Sequence, residues 1–222
     1  NNSCAYDVAV YILYNTWRTA PQSYKDTLCD FENPWLNILV TSFTRHVNGQ
    51  YTLEEVRDYF RCCLNRAFPN SFMFGMQMSA KAVMLKWCSG TVAFDSIHYT
   101  CSNGHDVVQS SKMSCVLEPG GCDTCSLQQF IEKCKARPIA QAVASCSVCA
   151  SNMVESHRYM YAPPLLNVVV AFTTVLPDLN INIEVNGTAM LYCLSGIVYY
   201  GNGHFTARFI DLDGSVWFND GI

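Results

Sequence analysis

Charge is scarce in this sequence. Only 14 Lys and Arg and 18 Asp and Glu occur among 222 residues, and the net charge is −4. A nucleic-acid binder normally shows a basic stripe; none is present, so no nucleic-acid partner is expected. Long apolar runs are also missing. No run is long enough to cross a bilayer, and "LLNVVVAF" is short and reads as a buried strand, so no membrane partner is expected. Repeats, low-complexity tracts and a visible signal peptide are absent too. Half of the residues are apolar, which provides for a sizeable core and argues against disorder. The length suits one domain.

Cysteine is abundant: there are thirteen, an odd number. A secreted disulfide framework is one reading, and the sequon Asn186-Gly187-Thr188 would fit it. Reduced thiols with a metal site and one nucleophile are the other. The pairs Cys122-x-x-Cys125 and Cys146-x-x-Cys149 favour metal, and with it an intracellular protein, nuclear or cytoplasmic.

Periodicity divides the chain. From Cys4, apolar residues recur at helical spacing through Ala5, Val8, Ala9, Ile12, Leu13 and Trp17, with Ser3 as the expected cap. Thr52 and Glu55 form a capping box ahead of a second amphipathic helix that Pro69 ends. The middle predicts strands in "TVAFDSIHYTC" and "HDVVQSSKMSCV" around a turn at Ser102-Asn103-Gly104. A short helix, "SLQQFIEKC", follows under a Ser126 cap. The last third reads as strands, with Asp213-Gly214 turning between the final two. Helices first and an antiparallel sheet last make the fold class α+β.

A thiol at a helix N-terminus is poised to ionise, and Cys4 holds that position. A thiol nucleophile needs an imidazole base and an orienting Asn or Asp. His204 begins a strand pattern, and the hairpin at Asp213-Gly214 returns "VWFND" alongside it. Asn219 and Asp220 are therefore expected beside His204.

These residues resemble a known family. "CAYD" opening a long apolar helix is similar to the cysteine box of the ubiquitin-specific proteases. "GNGHFTARFIDLDGSVWFND" resembles their histidine box. "CSVC" followed by "YAPPLLNVVVAF" resembles the second zinc pair and the central palm strand. "HFTARFIDLDGS", "CSVCAS" and "AFTTVLPDLN" are most similar to the ubiquitin-specific-peptidase-like branch of SUMO isopeptidases.

The resemblance implies a papain-like cysteine protease fold in a single catalytic domain. It has a helical thumb (1–90), zinc-containing fingers (91–160) and an antiparallel palm (161–222). It implies a monomer that cleaves the isopeptide bond after the C-terminal Gly-Gly of ubiquitin or SUMO in their conjugates. Cys4 would be the nucleophile, His204 the base, and Asp220 the orienting acid with Asn219 as neighbour and substitute. Gly203 would line the channel for the modifier tail. The family's oxyanion Asn or Gln lies about five residues before the cysteine. Here Asn1 and Asn2 are the nearest, at the wrong offset, so Asn2 or backbone N–H groups would serve. The Arg-Phe expected at the end of the palm strand is replaced by Ala171-Phe172. A catalytically silent, zinc-stabilised binder of a modifier is the alternative function.

Two zinc sites remain open. Spacing alone points to Cys122, Cys125, Cys146 and Cys149. The resemblance points to Cys101, His105, Cys146 and Cys149. In either, four protein ligands make the zinc structural.

Overall fold

The structure, a computed structural model, describes residues 2–119, 124–135, 137–138, 145–170 and 174–220. It is mixed α and β, with two compact units. One joins Asn1–Cys88 to Leu194–Ile222, and the other is Ser89–Cys193.

The first unit holds α1 (Cys4–Thr19), α2 (Gln22–Asp30), α3 (Pro34–Val47), α4 (Leu53–Ala67) and α5 (Ala80–Trp87). Helix α1 is apolar on most of its circumference and buries Ala5, Val8, Ala9, Ile12, Leu13 and Trp17, together with Tyr6, Val10 and Tyr14. A helix apolar nearly all round must be surrounded, and α3, α4, α5 and a late strand all pack on it. Tyr14, Trp17 and Phe43 form a ring cluster with centroids 5.3–6.3 Å apart. The box at Thr52 forms as expected: its hydroxyl accepts from the Glu55 N–H at 3.2 Å, and the Glu55 carboxylate accepts from the Thr52 N–H at 2.7 Å. Ser3 differs from expectation. Its backbone is already helical (φ −95°, ψ −12°), so its side chain makes no capping bond.

The second unit carries β1 (Asp95–Cys101), β2 (Asp106–Lys112), β3 (Val116–Leu117), β4 (Cys125–Ser126), α6 (Leu127–Cys134), β5 (Arg137–Pro138), β6 (Met153–Tyr159), β7 (Asn167–Val168), β8 (Val175–Leu176), β9 (Asn180–Val185) and β10 (Thr188–Cys193). Its main sheet runs β10-β9-β6-β1-β2, with β5 also on β6. Ser126 caps α6 through a capping box with Gln129, and α6 lays Phe130, Ile131 and Cys134 into the core.

The chain then returns to the first unit as β11 (Gly196–Gly201), β12 (His204–Ile210) and β13 (Val216–Asn219), an antiparallel sheet in that order. The strands of 161–222, read from sequence as one palm sheet, are thus divided among four sheets: β7 pairs with β3, β8 with β4, β9 and β10 join the main sheet, and β11 to β13 form their own. "LLNVVVAF" is also less than the buried strand expected of it. Only Asn167 and Val168 pair, in parallel with Val116 and Leu117, and both are half-buried. Pro163 and Pro164 just upstream lack the N–H groups a longer ladder would need. Ala171 and Phe172 lie outside the described residues. Among those described, no helix is long and apolar enough to cross a membrane.

Candidate active site and metal centre

Cys4 is the first residue of α1 and half-buried. The Ser3 carbonyl accepts the N–H groups of Tyr6 and Asp7. With no hydroxyl cap from Ser3, the N–H groups of Cys4 and Ala5 have no partner among the described residues. A helix leaves its first donors unmade unless something caps them. Here they belong to Cys4 itself and to the residue after it.

Helix α1 packs along β12, and two contacts fix its direction. A Cβ added at Gly196, which pairs with Phe209, would come within 2.8 Å of Ile12. Asn219, which pairs with Ala207, lines a small cavity with Asp7, Val10 and Tyr11. The helix therefore advances from Asp7 toward Ile12 as the strand advances from Ala207 toward Phe209. Continued backwards, the first turn of α1 lies toward the end of β12 that begins with His204. At about 1.5 Å per helical and 3.3 Å per strand residue, the step from Ile12 back to Cys4 matches that from Phe209 back to His204 within about 5 Å.

His204 follows a two-residue turn, Asn202-Gly203, at which β11 doubles back. Both turn residues have positive φ (52° and 75°), the type I′ pattern that Asn-Gly supplies. Gly203 is thus required by its backbone angle. A Cβ there would meet nothing within 4 Å, so the backbone angle and not packing within the protein constrains this position. The Asp213-Gly214 turn sets β13 against β12 as expected. The His204 Nε2 lies 3.5 Å from the Asp220 Oδ1 and hydrogen-bonds the Asp220 carbonyl.

Strand alternation separates the two candidate orienting residues. Ala207 and Phe209 are buried, and Asn219, opposite Ala207, shares their face toward α1. His204 and Asp220 fall on the other face. Among the described residues, none makes a hydrogen bond to the Cys4 thiol. Asn2 has its amide committed elsewhere, donating to the Gly75 carbonyl at 2.6 Å.

Sequence reasoning missed a part-buried ion pair. Asp7, on the first turn of α1, meets the Arg57 Nη1 of α4 at 2.5 Å, with side chains 12% and 11% exposed. Its other carboxylate oxygen is buried with no hydrogen-bond partner among the described residues. The acid is visible in "CAYD", but its partner is fifty residues on, and no local spacing links them.

The second unit gathers four thiol and imidazole donors. Cys101, His105, Cys146 and Cys149 bring one ligand atom each within 4.8 Å of one another. Their nearest approaches are Cys101 Sγ to His105 Nδ1 at 3.3 Å, Cys146 Sγ to His105 Nδ1 at 3.5 Å, and Cys101 Sγ to Cys149 Sγ at 3.6 Å. The sheet explains the gathering. Cys101, the end of β1, pairs with Met153, the start of β6. The turn at 102–105 and the knuckle at 146–149 therefore meet at one edge of the sheet. A Ser145–Asn152 bridge and a Cys146 N–H to Ser151 carbonyl bond close the knuckle.

Backbone amides and a hydroxyl point at the sulfurs. The Ser151 hydroxyl, 2.9 Å away, and the Ser151 N–H pull the Cys149 thiol down to about 5. For Cys101, burial opposes ionisation, but the N–H groups of Asn103 and His105 outweigh it and the thiol lies below its ordinary value. Hydrogen bonds from Cys149 and Cys101 raise His105. Such a set can hold a metal ion. Cys125 lies apart from this cluster, buried in β4, and Cys122 is outside the described residues. The twelve described cysteines are all free thiols.

No family model matches the sequence, and neither does any curated protein. Among solved structures, the chain is similar to the Saccharomyces cerevisiae PAN2 pseudoubiquitin-hydrolase-RNase module. The TM-score is 0.41 and the identity 11%, over 96% of this chain and 44% of that one. The chain thus spans less than half the length of that protein.

Proposed function

We propose that this chain is a thiol isopeptidase that removes a ubiquitin-family modifier, ubiquitin or SUMO, from target lysines. One observation carries the reading. Cys4 stands on an uncapped helix N-terminus whose direction along β12 takes it to the His204 end of the sheet. The sequence likeness to the ubiquitin-specific protease boxes at both places supports it.

In the reaction, the His204 ring leaves the Asp220 carbonyl, turns to the α1 side of β12 and takes the Cys4 proton, and the thiolate attacks the carbonyl carbon of the terminal glycine. The oxyanion accepts hydrogen bonds from the N–H groups of Cys4 and Ala5, in place of a side-chain donor. The C–N bond breaks as His204 returns the proton to the departing lysine amine. Water then hydrolyses the thioester and frees the thiol.

We assign zinc to the four-donor cluster. A zinc with Zn–S near 2.3 Å spans tetrahedral edges of about 3.8 Å. The three observed separations, 3.3–3.6 Å, approach that value. Four protein donors leave no place for water, so the ion's contribution is structural.

A second reading, a silent modifier-binding module, is favoured by the His204 ring turning to the Asp220 carbonyl. Ubiquitin and SUMO carrying a C-terminal electrophile separate the two. The enzyme forms an adduct on Cys4 with one or both probes, and Cys4→Ala abolishes it with the fold intact. Binding without an adduct would support the silent module, and labelling that persists in Cys4→Ala would move the nucleophile to another cysteine.

A further inference from the structure

A carboxylate one helical turn from a nucleophilic thiol is a liability. Residues three apart on a helix are neighbours, about 5–6 Å between Cβ atoms, so Asp7 lies on the same stripe of α1 as Cys4. A negative charge there opposes the thiolate. Asp7 is nevertheless part-buried, and its buried oxygen makes no hydrogen bond among the described residues. It lines a cavity of about 80 Å³ with Tyr11, Glu54, Arg57 and Asn219. That is room for about two waters at liquid volume. The cation beside it is the Arg57 guanidinium, which also holds Asp58 at 2.9 Å.

We propose that Asp7 and Arg57 are positioning residues that tune the nucleophile: Arg57 screens Cys4 from Asp7, and Asp7 holds Arg57 against the first turn of α1. This rests on the reading of Cys4 as nucleophile, but not on the identity of its substrate. The charged and titratable groups around that turn are few. Helix α1 supplies Asp7. Helix α4 supplies Glu54, Arg57, Asp58 and Arg61, the last over the Tyr6 ring at 5.1 Å. The sheet supplies His204 and Asp220. Among these, Asp7 is the acid on the thiol's own stripe, and Arg57 is the base in contact with it.

The pair predicts opposite effects from its two members, which a purely structural contact would not. The full chain is alkylated with iodoacetamide across a pH series, and the rate at Cys4 is followed by mass spectrometry. The tryptic peptide 1–18 contains Cys4 as its only cysteine, so its signal is unambiguous. Asp7→Asn, nearly isosteric, removes the repulsion and lowers the pH midpoint of alkylation by about one unit. Arg57→Gln exposes the thiol to Asp7 and raises the midpoint by about one unit. Arg57→Lys keeps the charge and restores most of the difference. Should Arg57→Gln fail to fold, Asp7→Asn still decides, because its midpoint must fall. Midpoints that stay put, or move in the same direction in both variants, would overturn the proposal. If neither modifier probe labels Cys4 while the two midpoints move apart, the isopeptidase reading falls and this one stands.

Discussion

His204 has two candidates for the group that orients it, and they lie on opposite faces of one strand. Asp220 shares the face of His204 and lies 3.5 Å from its Nε2. Asn219 faces α1. If Asp220 orients the imidazole, Asp220→Ala lowers the turnover of a modifier–fluorophore substrate at least tenfold more than Asn219→Ala. Equal losses would mean a shared role. The reverse order would place the orienting group on the α1 face and require the His204 ring to turn toward it. Cys4 and His204 were legible in the sequence because a helix start and a strand start are local patterns. Asn202-Gly203 was equally local, an Asn-Gly pair between two apolar runs, but was not read as the hairpin it makes. The Asp7–Arg57 pair was illegible for a different reason: its members meet only through the packing of α4 on α1. Tyr6 and Arg61 meet by the same route.

Single elements followed their local signals closely where the signal was chemical. Thr52 and Glu55 cap α4 reciprocally, and Ser126 and Gln129 do the same for α6. Thr52→Ala should therefore cost about 1 kcal/mol. That would appear as a lower thermal midpoint with unchanged far-ultraviolet circular dichroism. An unchanged midpoint would mean that packing alone starts this helix. Signals resting on hydrophobicity alone did worse. "LLNVVVAF" offers apolar side chains, but its ladder depends on which N–H groups are present and which partner arrives. In β13, Val216, Trp217 and Phe218 are all more than half exposed, although their composition reads as core. Apolar content favours burial without saying which face, or which element, will supply it.

At the scale of the whole molecule, the sequence left the second half of the metal site open, and among the described residues the fold gathers Cys101 and His105 with Cys146 and Cys149. Spacing favoured Cys122 and Cys125. The β1–β6 register instead carries Cys101 and His105 to Cys146 and Cys149. Protein purified without chelator should contain one zinc per chain. Cys146→Ser and Cys101→Ser should each release it and lower the stability of the second unit, whereas Cys125→Ser should retain it. Metal loss on Cys125→Ser and not on Cys101→Ser, measured by elemental analysis, would restore the spacing-based site. The α+β class was legible from helices preceding strands. The interleaving of the two units was not, because nothing in a local pattern says that residues after 193 rejoin those before 89.

That interleaving has a consequence in time. The unit with Cys4 is closed by strands β11 to β13, synthesised after the whole of the other unit. Helix α1 leaves the ribosome roughly two hundred residues before His204, a separation that makes closure slow. Until β12 arrives, the apolar flank of α1 has no sheet beneath it and His204 is absent from its end. A nascent or truncated chain would therefore display Cys4 on an exposed apolar helix, and under the proposed function activity would switch on only when β11 to β13 dock.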